Sequence, residues 1–272
     1  MNDLLAKNII KFRKRKNYTQ DILAKKLGVS FQAVSKWERG ETYPDIELLP
    51  DLAVALDTDI NSLIGYVHNN RKISIYEDEY LQKDYYWGLQ PSEMCYQILR
   101  DKPPVEPIKL LDVGCGEGKD AVFFARNGYL VTAFDIADAG VEKTKRLADR
   151  FAVDINVFKA NILDFRLDAK YDVIYSSGAF HYITPELRHE IISNYKMNTS
   201  INGINVINAF VSKPFIAKAP EKENAYYWKS GELSSHYHDW LIKSCKETIF
   251  DCNSSGIPHK HCMDVIVTER KG

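Results

Sequence analysis

The segment KLLDVGCGEGKD at residues 109–120 constrains this chain more than any other stretch. An apolar run ends in an acid, Asp112, and Gly114, Gly116 and Gly118 then alternate with single residues before the helix-forming KDAVFFARNG begins. A strand must turn tightly into a helix there, and backbone without side chains lets a ligand approach closely. Cys115 lies inside the turn. Nicotinamide-binding turns read G-x-G-x-x-G; here the third glycine comes one residue earlier and an acid precedes the loop.

The sequence around the turn alternates strands with helices. IKLLDV, LVTAFD, INVFKA, YDVIYS and INVINAF are short apolar or β-branched runs, separated by helical patterns at 119–128, 138–150 and 185–197. Such alternation predicts an α/β domain with a mostly parallel sheet and helices on both faces. Strands near 246–251 and 262–269 are expected to close one edge as a hairpin. The second strand ends in Asp135, followed by Ile136, where a carboxylate can accept hydrogen bonds from both hydroxyls of a ribose. The fourth ends in Ser176 and Ser177, with Gly178, Phe180, His181 and Tyr182 just beyond. Carboxyl ends of strands line the crevice of open α/β sheets, so these residues should face a ligand. His181 is a candidate general base, or equally a packed crevice histidine.

Residues 1–66 read differently, as short helices only. Leu4, Leu5, Asn8, Ile9 and Phe12 share one helical face over about 3–16, Thr19 can cap a second helix ended by Gly28, and Ser30 can cap a third running to Glu38. A fourth is expected over DIELLPDLAVAL and a fifth near 61–62, with Leu5, Ile9, Leu23, Leu27, Val34, Trp37, Leu48 and Leu52 as core. TQDILAKKLGVSFQAVSKWERG at 19–40 resembles the phage-repressor-like (Cro/XRE-type) helix-turn-helix family. The resemblance implies double-stranded DNA as a partner: Phe31, Gln32, Ser35 and Lys36 would meet base edges, and Gln20 would sit over the backbone. A single such unit gives little affinity, so a homodimer on a two-fold site is expected. Net charge is −1, yet residues 1–40 hold ten Lys/Arg against three acids, including the cluster Arg13–Lys16, as an anionic partner requires. A polar linker is placed at 67–75.

The D-x-G-x-G-x-G order of residues 112–118 resembles motif I of class I S-adenosylmethionine-dependent methyltransferases. The resemblance implies a Rossmann-like, mostly parallel seven-stranded sheet over residues 76–272 that takes S-adenosylmethionine as cofactor. Asp112 would face its amino end, the glycine loop its methionine part, Asp135 its ribose, and Asn161 with Ile162 its adenine. YEDEYLQKDYYWGLQPSE at 76–93, FVSKPF at 210–215 and YYWKSGELSSHYHDW at 226–240 are similar to the tellurite-resistance methyltransferase family. This implies methyl transfer to a small molecule or oxyanion of the tellurite or selenite kind. The segment at 76–93 is lid-like, and its Tyr85, Tyr86 and Trp87 are candidates for an aromatic face toward the cofactor sulfonium, or equally only the packing of the lid helix. The last hairpin departs from the family pattern of His-Arg and further arginines, reading instead CNSSGIPHKHCMDV, which keeps a thiol or small amine acceptor open.

Three other inferences bound the function. Cys252, His259, His261 and Cys262, with His236 and His238 nearby, match no C-x-x-C or H-x-x-x-H ligand pair, and the neighbours His261 and Cys262 would point to opposite strand faces. No metal is expected, and the histidines are placed at a pocket mouth. Five cysteines without paired spacing, no apolar run of the ~18 residues a membrane span needs, and no signal-peptide pattern at the N-terminus lead to a cytoplasmic expectation with reduced thiols and no membrane partner. A nucleic-acid methyltransferase is disfavoured, since neither a D/N-P-P-Y/F tetrapeptide nor a Pro-Cys pair occurs. A regulator whose methyltransferase-like domain only senses S-adenosylmethionine or a ligand is the competing reading.

Overall fold

Helix caps organise the first part of the chain. The Thr19 hydroxyl accepts from Ile22 N at 3.2 Å and opens α2 (Gln20–Leu27), and Ser30 accepts from Ala33 N at 3.1 Å and opens α3 (Phe31–Glu38). Between them Gly28 takes φ 66°, a left-handed turn that a glycine adopts without strain. With α1 (Asn2–Arg15), α4 (Leu49–Ala55) and α5 (Ile60–Ile64) these helices enclose one core of Leu5, Ile9, Leu23, Val34, Trp37, Leu52, Leu56 and Leu63. Leu27 and Leu48, expected in the core, lie at its margin. The single helix expected over DIELLPDLAVAL is broken into a 3-10 turn at Ile46–Leu48 and α4. Pro50 is the cause, because it has no N–H to give and is tolerated only in the first turn of a helix.

The computed structural model describes residues 2–64, 74–216, 225–252 and 258–272, so the linker expected at 67–75 lies outside the described residues except for its last two. The chain divides into two units, Met1–Asn70 and Arg71–Gly272. The second unit begins with α6 (Glu77–Tyr80) and α7 (Glu93–Asp101), the latter unforeseen in the sequence. It continues as β1 (Lys109–Val113), α8 (Lys119–Arg126), β2 (Leu130–Asp135), α9 (Asp138–Arg150), β3 (Ile155–Lys159), β4 (Tyr171–Ser176), α10 (Pro185–Met197), β5 (Thr199–Val211), α11 (Glu232–Ser235), β6 (Leu241–Cys252) and β7 (His259–Glu269).

The seven strands are ordered β3-β2-β1-β4-β5-β7-β6; the first five run parallel and β7 pairs antiparallel with both β5 and β6. The order reverses between β1 and β4, where open α/β sheets form their ligand crevice. β1 is buried from Leu110 to Val113 and β4 from Val173 to Ser176, as central strands covered on both faces are. The late hairpin is present but longer than expected. β6 is exposed along most of its length, so its sequence shows little of the alternation that reveals a half-buried strand. Among the described residues no helix is long and apolar enough to cross a membrane.

In the first unit Arg13 Nε donates to Glu38 Oε1 at 2.5 Å and Arg13 Nη2 to Glu38 Oε2 at 2.9 Å, with Gln20 Nε2 adding a third donor at 2.7 Å. Glu38 is nearly buried, so Glu38→Ala leaves the guanidinium without its partner. That substitution should lower the unfolding free energy of this unit by about 1.5–3 kcal/mol, the usual size of hydrogen bonds to charged groups. Denaturant unfolding followed by circular dichroism checks this, and Glu41→Ala, whose ion pair with Arg39 is exposed, should change little.

Candidate functional site

The turn after β1 is built by steric necessity. A Cβ on Gly114 would stand 2.5 Å from Ala179 Cβ, and one on Gly118 would stand 2.6 Å from both Thr144 Oγ1 and Cγ2, while the two backbones take φ of 71° and 85°. Neither position accepts another residue without displacing its neighbour. Cys115 is buried beside the loop, and its N–H and that of Gly114 both donate to Phe134 O.

Three carboxylates gather beneath this turn. Asp135, at the end of β2, accepts from Gly116 N at 2.8 Å through Oδ2 and from Ala137 N at 2.9 Å through Oδ1. Burial pushes its carboxyl up, partly offset by those backbone donors. Asp120 is pushed up by burial as well, but the Lys119 ammonium and the hydrogen bonds from Ser92 and Tyr175 outweigh this and leave it below the usual carboxylate range. Asp112 is 2 % exposed, and its Oδ2 has no hydrogen-bond partner among the described residues. Burial, then the nearby charge of Asp120, push the Asp112 carboxyl well above its ordinary range.

The other residues predicted for the site fall around the same crevice with uneven roles. Ile136 is half-buried and Ile162 buried. Asn161 Oδ1 accepts from Leu163 N at 3.0 Å and so shapes its own turn, keeping a second lone pair. Ser176 is fully buried and donates to Val113 O at 2.9 Å, tying β4 to β1. Ser177 Oγ accepts from Asn208 Nδ2 at 3.3 Å, and Asn208 Oδ1 accepts from Gly178 N at 2.7 Å, fixing the loop after β4.

Aromatic side chains from residues 76–87 roof the turn. Tyr76 stacks on Tyr80 at 5.6 Å, and Trp87 meets Tyr76 and Tyr86 edge-on at 5.4 and 4.7 Å. Trp87 Nε1 donates to Tyr80 Oη at 3.0 Å. Tyr85 stands apart from this roof, carrying Lys143 Nζ over its ring at 5.1 Å. Lys143 also donates to Asp84 O at 2.6 Å and to the buried Glu117 at 2.7 Å, and Glu117 accepts from Trp87 N at 3.3 Å. Neither Glu117 nor Lys143 is singled out by the sequence patterns above. A trace was there to find, since Lys143 occupies the otherwise apolar or small stripe Ala139, Gly140, Thr144, Leu147 of α9, where a charge must be paired.

Beyond β4, His181 is 2 % exposed, packed against Tyr182 at 4.2 Å and Phe210 at 4.4 Å. Neither ring nitrogen has a hydrogen-bond partner among the described residues. Burial, assisted by the nearby His261, lowers its pKa to about 3. The GEL segment is a brace: Glu232 accepts from Arg188 at 2.6 Å, and that guanidinium lies 4.1 Å over the buried Trp228 ring. At the end of the hairpin Cys252, His259 and His261 bring their ligand-capable atoms within 4.8 Å of one another, three of the residues that the spacing patterns matched to no ligand pair. His236 belongs elsewhere, near His189 and Trp228.

In the first unit Phe31, Gln32 and Lys36 are exposed on α3 and Ser35 is half-exposed, accepting from Arg39 Nη1 at 2.6 Å. Gln20 is held by Glu38, and two members of the basic cluster are internally engaged, Arg13 by Glu38 and Lys16 by Asp57 at 2.7 Å. Lys14 and Arg15 remain exposed.

The parallel sheet with an antiparallel seventh strand, the glycine turn at its switch point and the acid ending β2 define a Rossmann-like domain of the class I methyltransferase kind. Residues 73–255 match the family model described as tellurite resistance protein TehB, and the chain belongs to that family. Residues 9–63 match a helix-turn-helix family model. A Haemophilus influenzae protein named "Probable S-adenosyl-L-methionine-dependent methyltransferase TehB" is 27% identical over 146 residues, 53% of this chain and 50% of that protein. Hemagglutinin 1 of Eikenella corrodens is 28% identical over 146 residues, 53% of this chain and 48% of its own length. The chain thus spans about half the length of these curated relatives. The crystal structure of TehB from Haemophilus influenzae superposes with TM-score 0.60 at 21% identity, over 72% of this chain and 66% of that one.

The residues present fit S-adenosylmethionine. A loop whose glycines leave room only for backbone, a buried carboxylate oxygen without a partner and a second carboxylate with spare lone pairs match its cationic amino end and ribose. Asp112 has a testable consequence. Its raised carboxyl binds a proton more readily folded than unfolded, so its contribution lowers stability as pH rises from the ordinary carboxylate range through the raised value. At neutral pH Asp112→Asn should therefore raise the Tm of the ligand-free protein, by about 2–4 °C per kcal/mol relieved. The same change should weaken S-adenosylmethionine at least ~10-fold through loss of a charge-assisted contact. Thermal unfolding with and without cofactor reads both effects, which have opposite signs.

Proposed function

We propose that the Arg71–Gly272 unit transfers a methyl group from S-adenosylmethionine to a small soft acceptor, an oxyanion or chalcogen centre of the tellurite or selenite kind. The observation that carries this reading is the Asp112 oxygen, without a hydrogen-bond partner among the described residues, beneath a glycine turn roofed by Tyr76, Tyr80, Tyr86 and Trp87. Bound there, the cofactor supplies an electrophilic methyl group on a sulfonium sulfur. Asp112 and Asp135 would hold its amino and ribose ends, Ile136, Asn161 and Ile162 would border its base, and the aromatic roof would exclude water and offer ring faces to a cation. The family description supports the acceptor class.

His181 takes a limited part. With its pKa lowered to about 3 it is neutral at pH 7, so it offers the acceptor one donor and one acceptor of hydrogen bonds and is a poor base. A tellurium(IV) or selenium(IV) acceptor would bring its own lone pair to the transferred methyl group. No proton has to be removed, so positioning and desolvation do most of what such a transfer needs. The Met1–Asn70 unit, in this proposal, binds double-stranded DNA as a dimer through Gln32, Ser35 and Lys36 on bases and Lys14 and Arg15 on phosphates.

Purified full-length chain should methylate tellurite or selenite in a panel that includes thiols and amines, with Asp135→Ala reducing cofactor affinity by ~10-fold or more. His181→Gln, which keeps both hydrogen-bonding roles, should retain most of the turnover, whereas loss of turnover with a shifted pH profile would make His181 a base. In gel shifts Lys14→Ala and Arg15→Ala should weaken all DNA sequences alike and lower the salt dependence. Operator affinity that changes tenfold with cofactor, about 1.4 kcal/mol of coupling, together with no turnover on the panel, would replace the enzyme reading by a ligand-sensing regulator.

A further inference from the structure

Strand register brings an unassigned set of soft ligands together. Cys252 lies opposite His259 across the β6–β7 ladder, and His261 follows two residues later on the same face of β7. One atom from each of the three lies within 4.8 Å of the others, with His259 Nε2 and His261 Nε2 only 2.8 Å apart. His261 is buried and the other two half-buried, so the cluster is closed on one side and reachable on the other. Cys262, the next residue, points to the opposite face and takes no part.

The geometry points to a binding site for a zinc-class divalent ion formed by Cys252 Sγ and one ring nitrogen each of His259 and His261. A thiolate with two imidazoles suits zinc, which takes tetrahedral S and N ligands. In such a site ligand atoms stand roughly 3.3–3.6 Å apart, from Zn–N near 2.0–2.1 Å and Zn–S near 2.3 Å. The two imidazole nitrogens stand closer than that, at 2.8 Å, and all three ligand atoms lie within 4.8 Å of one another, so the ion would need small side-chain adjustments. The His261 ring is already held, stacked on Phe210 at 4.5 Å with 8° between the planes, and a fixed ring is what supporting contacts give a metal ligand. Three protein ligands leave a fourth position, which in such sites goes to water or a substrate. Phe210 also stacks on His181, and β7 runs antiparallel to β5, so the ion would lie at the carboxyl edge of the sheet, on the His181 side of the crevice.

The test uses the reduced, full-length chain, stripped with a chelator and titrated with cobalt(II) as the probe, then with zinc(II). We expect an equimolar amount of cobalt to develop a thiolate-to-cobalt charge-transfer band that zinc bleaches. Cys252→Ser should abolish the band, and His261→Gln should weaken cobalt at least tenfold, while Cys245→Ser, at an exposed thiol elsewhere on β6, should leave it unchanged. Absence of the band, its persistence in Cys252→Ser, or its loss in Cys245→Ser would each overturn the site and leave His259 and His261 as a hydrogen-bonded pair. Cys252 is only half-buried, so its variant remains informative if the His261 variant does not fold. Binding of S-adenosylmethionine is measured alongside. Its failure would overturn the methyltransferase reading without touching the metal result, and a missing band with cofactor binding intact would overturn only the metal site.

Discussion

Three carboxylates buried around one glycine turn set the terms for the rest of the second unit. Asp120 is brought below its ordinary range by Lys119, Ser92 and Tyr175, and Asp135 is partly relieved by the backbone N–H groups of Gly116 and Ala137. Asp112 is not balanced, and like charge from Asp120 makes its position worse. A buried group without a partner costs on the order of 1–3 kcal/mol. The sheet on either side of β1 must supply enough apolar burial to tolerate it, and β1 and β4 are accordingly almost wholly buried. In the proposed reading the compensating group is the cationic amino end of the cofactor, so stability and ligand binding would pull in opposite directions at this carboxylate.

What could be read from the sequence was whatever is local. The turn at Gly114, Gly116 and Gly118, the acid ending β2, and the caps Thr19 and Ser30 each depend on a few neighbouring residues, and the structure places them where their spacing required. Features that depend on distant partners were hidden. Lys143 and Glu117 pair across 26 residues, and Arg13 and Glu38 across 25, so a basic cluster that looked wholly available for DNA is half committed to its own fold. Cys252 and His259 are partners only through the register of an antiparallel ladder, a spacing that knuckle and helix patterns do not contain. The break at Pro50 is the opposite case, a local signal passed over because the apolar periodicity continues through it.

The lid-like segment gains a physical description from its anchors. α6 has four residues, and short elements with few backbone hydrogen bonds belong to the least stable parts of a fold. Among the hydrogen bonds that hold the segment, Glu77 accepts from Ala139 N at 2.9 Å, Asp84 O from Lys143, and Glu117 from Trp87 N. All three run to the glycine turn or to the start of α9, the elements that bear the cofactor end of the crevice. Toward the His181 side the segment is joined by a longer contact, Tyr182 Oη to Tyr76 Oη at 3.4 Å. The roof is thus tied both to the glycine turn and α9 and to the loop after β4, so a change in any one of these elements is felt by its aromatic rings.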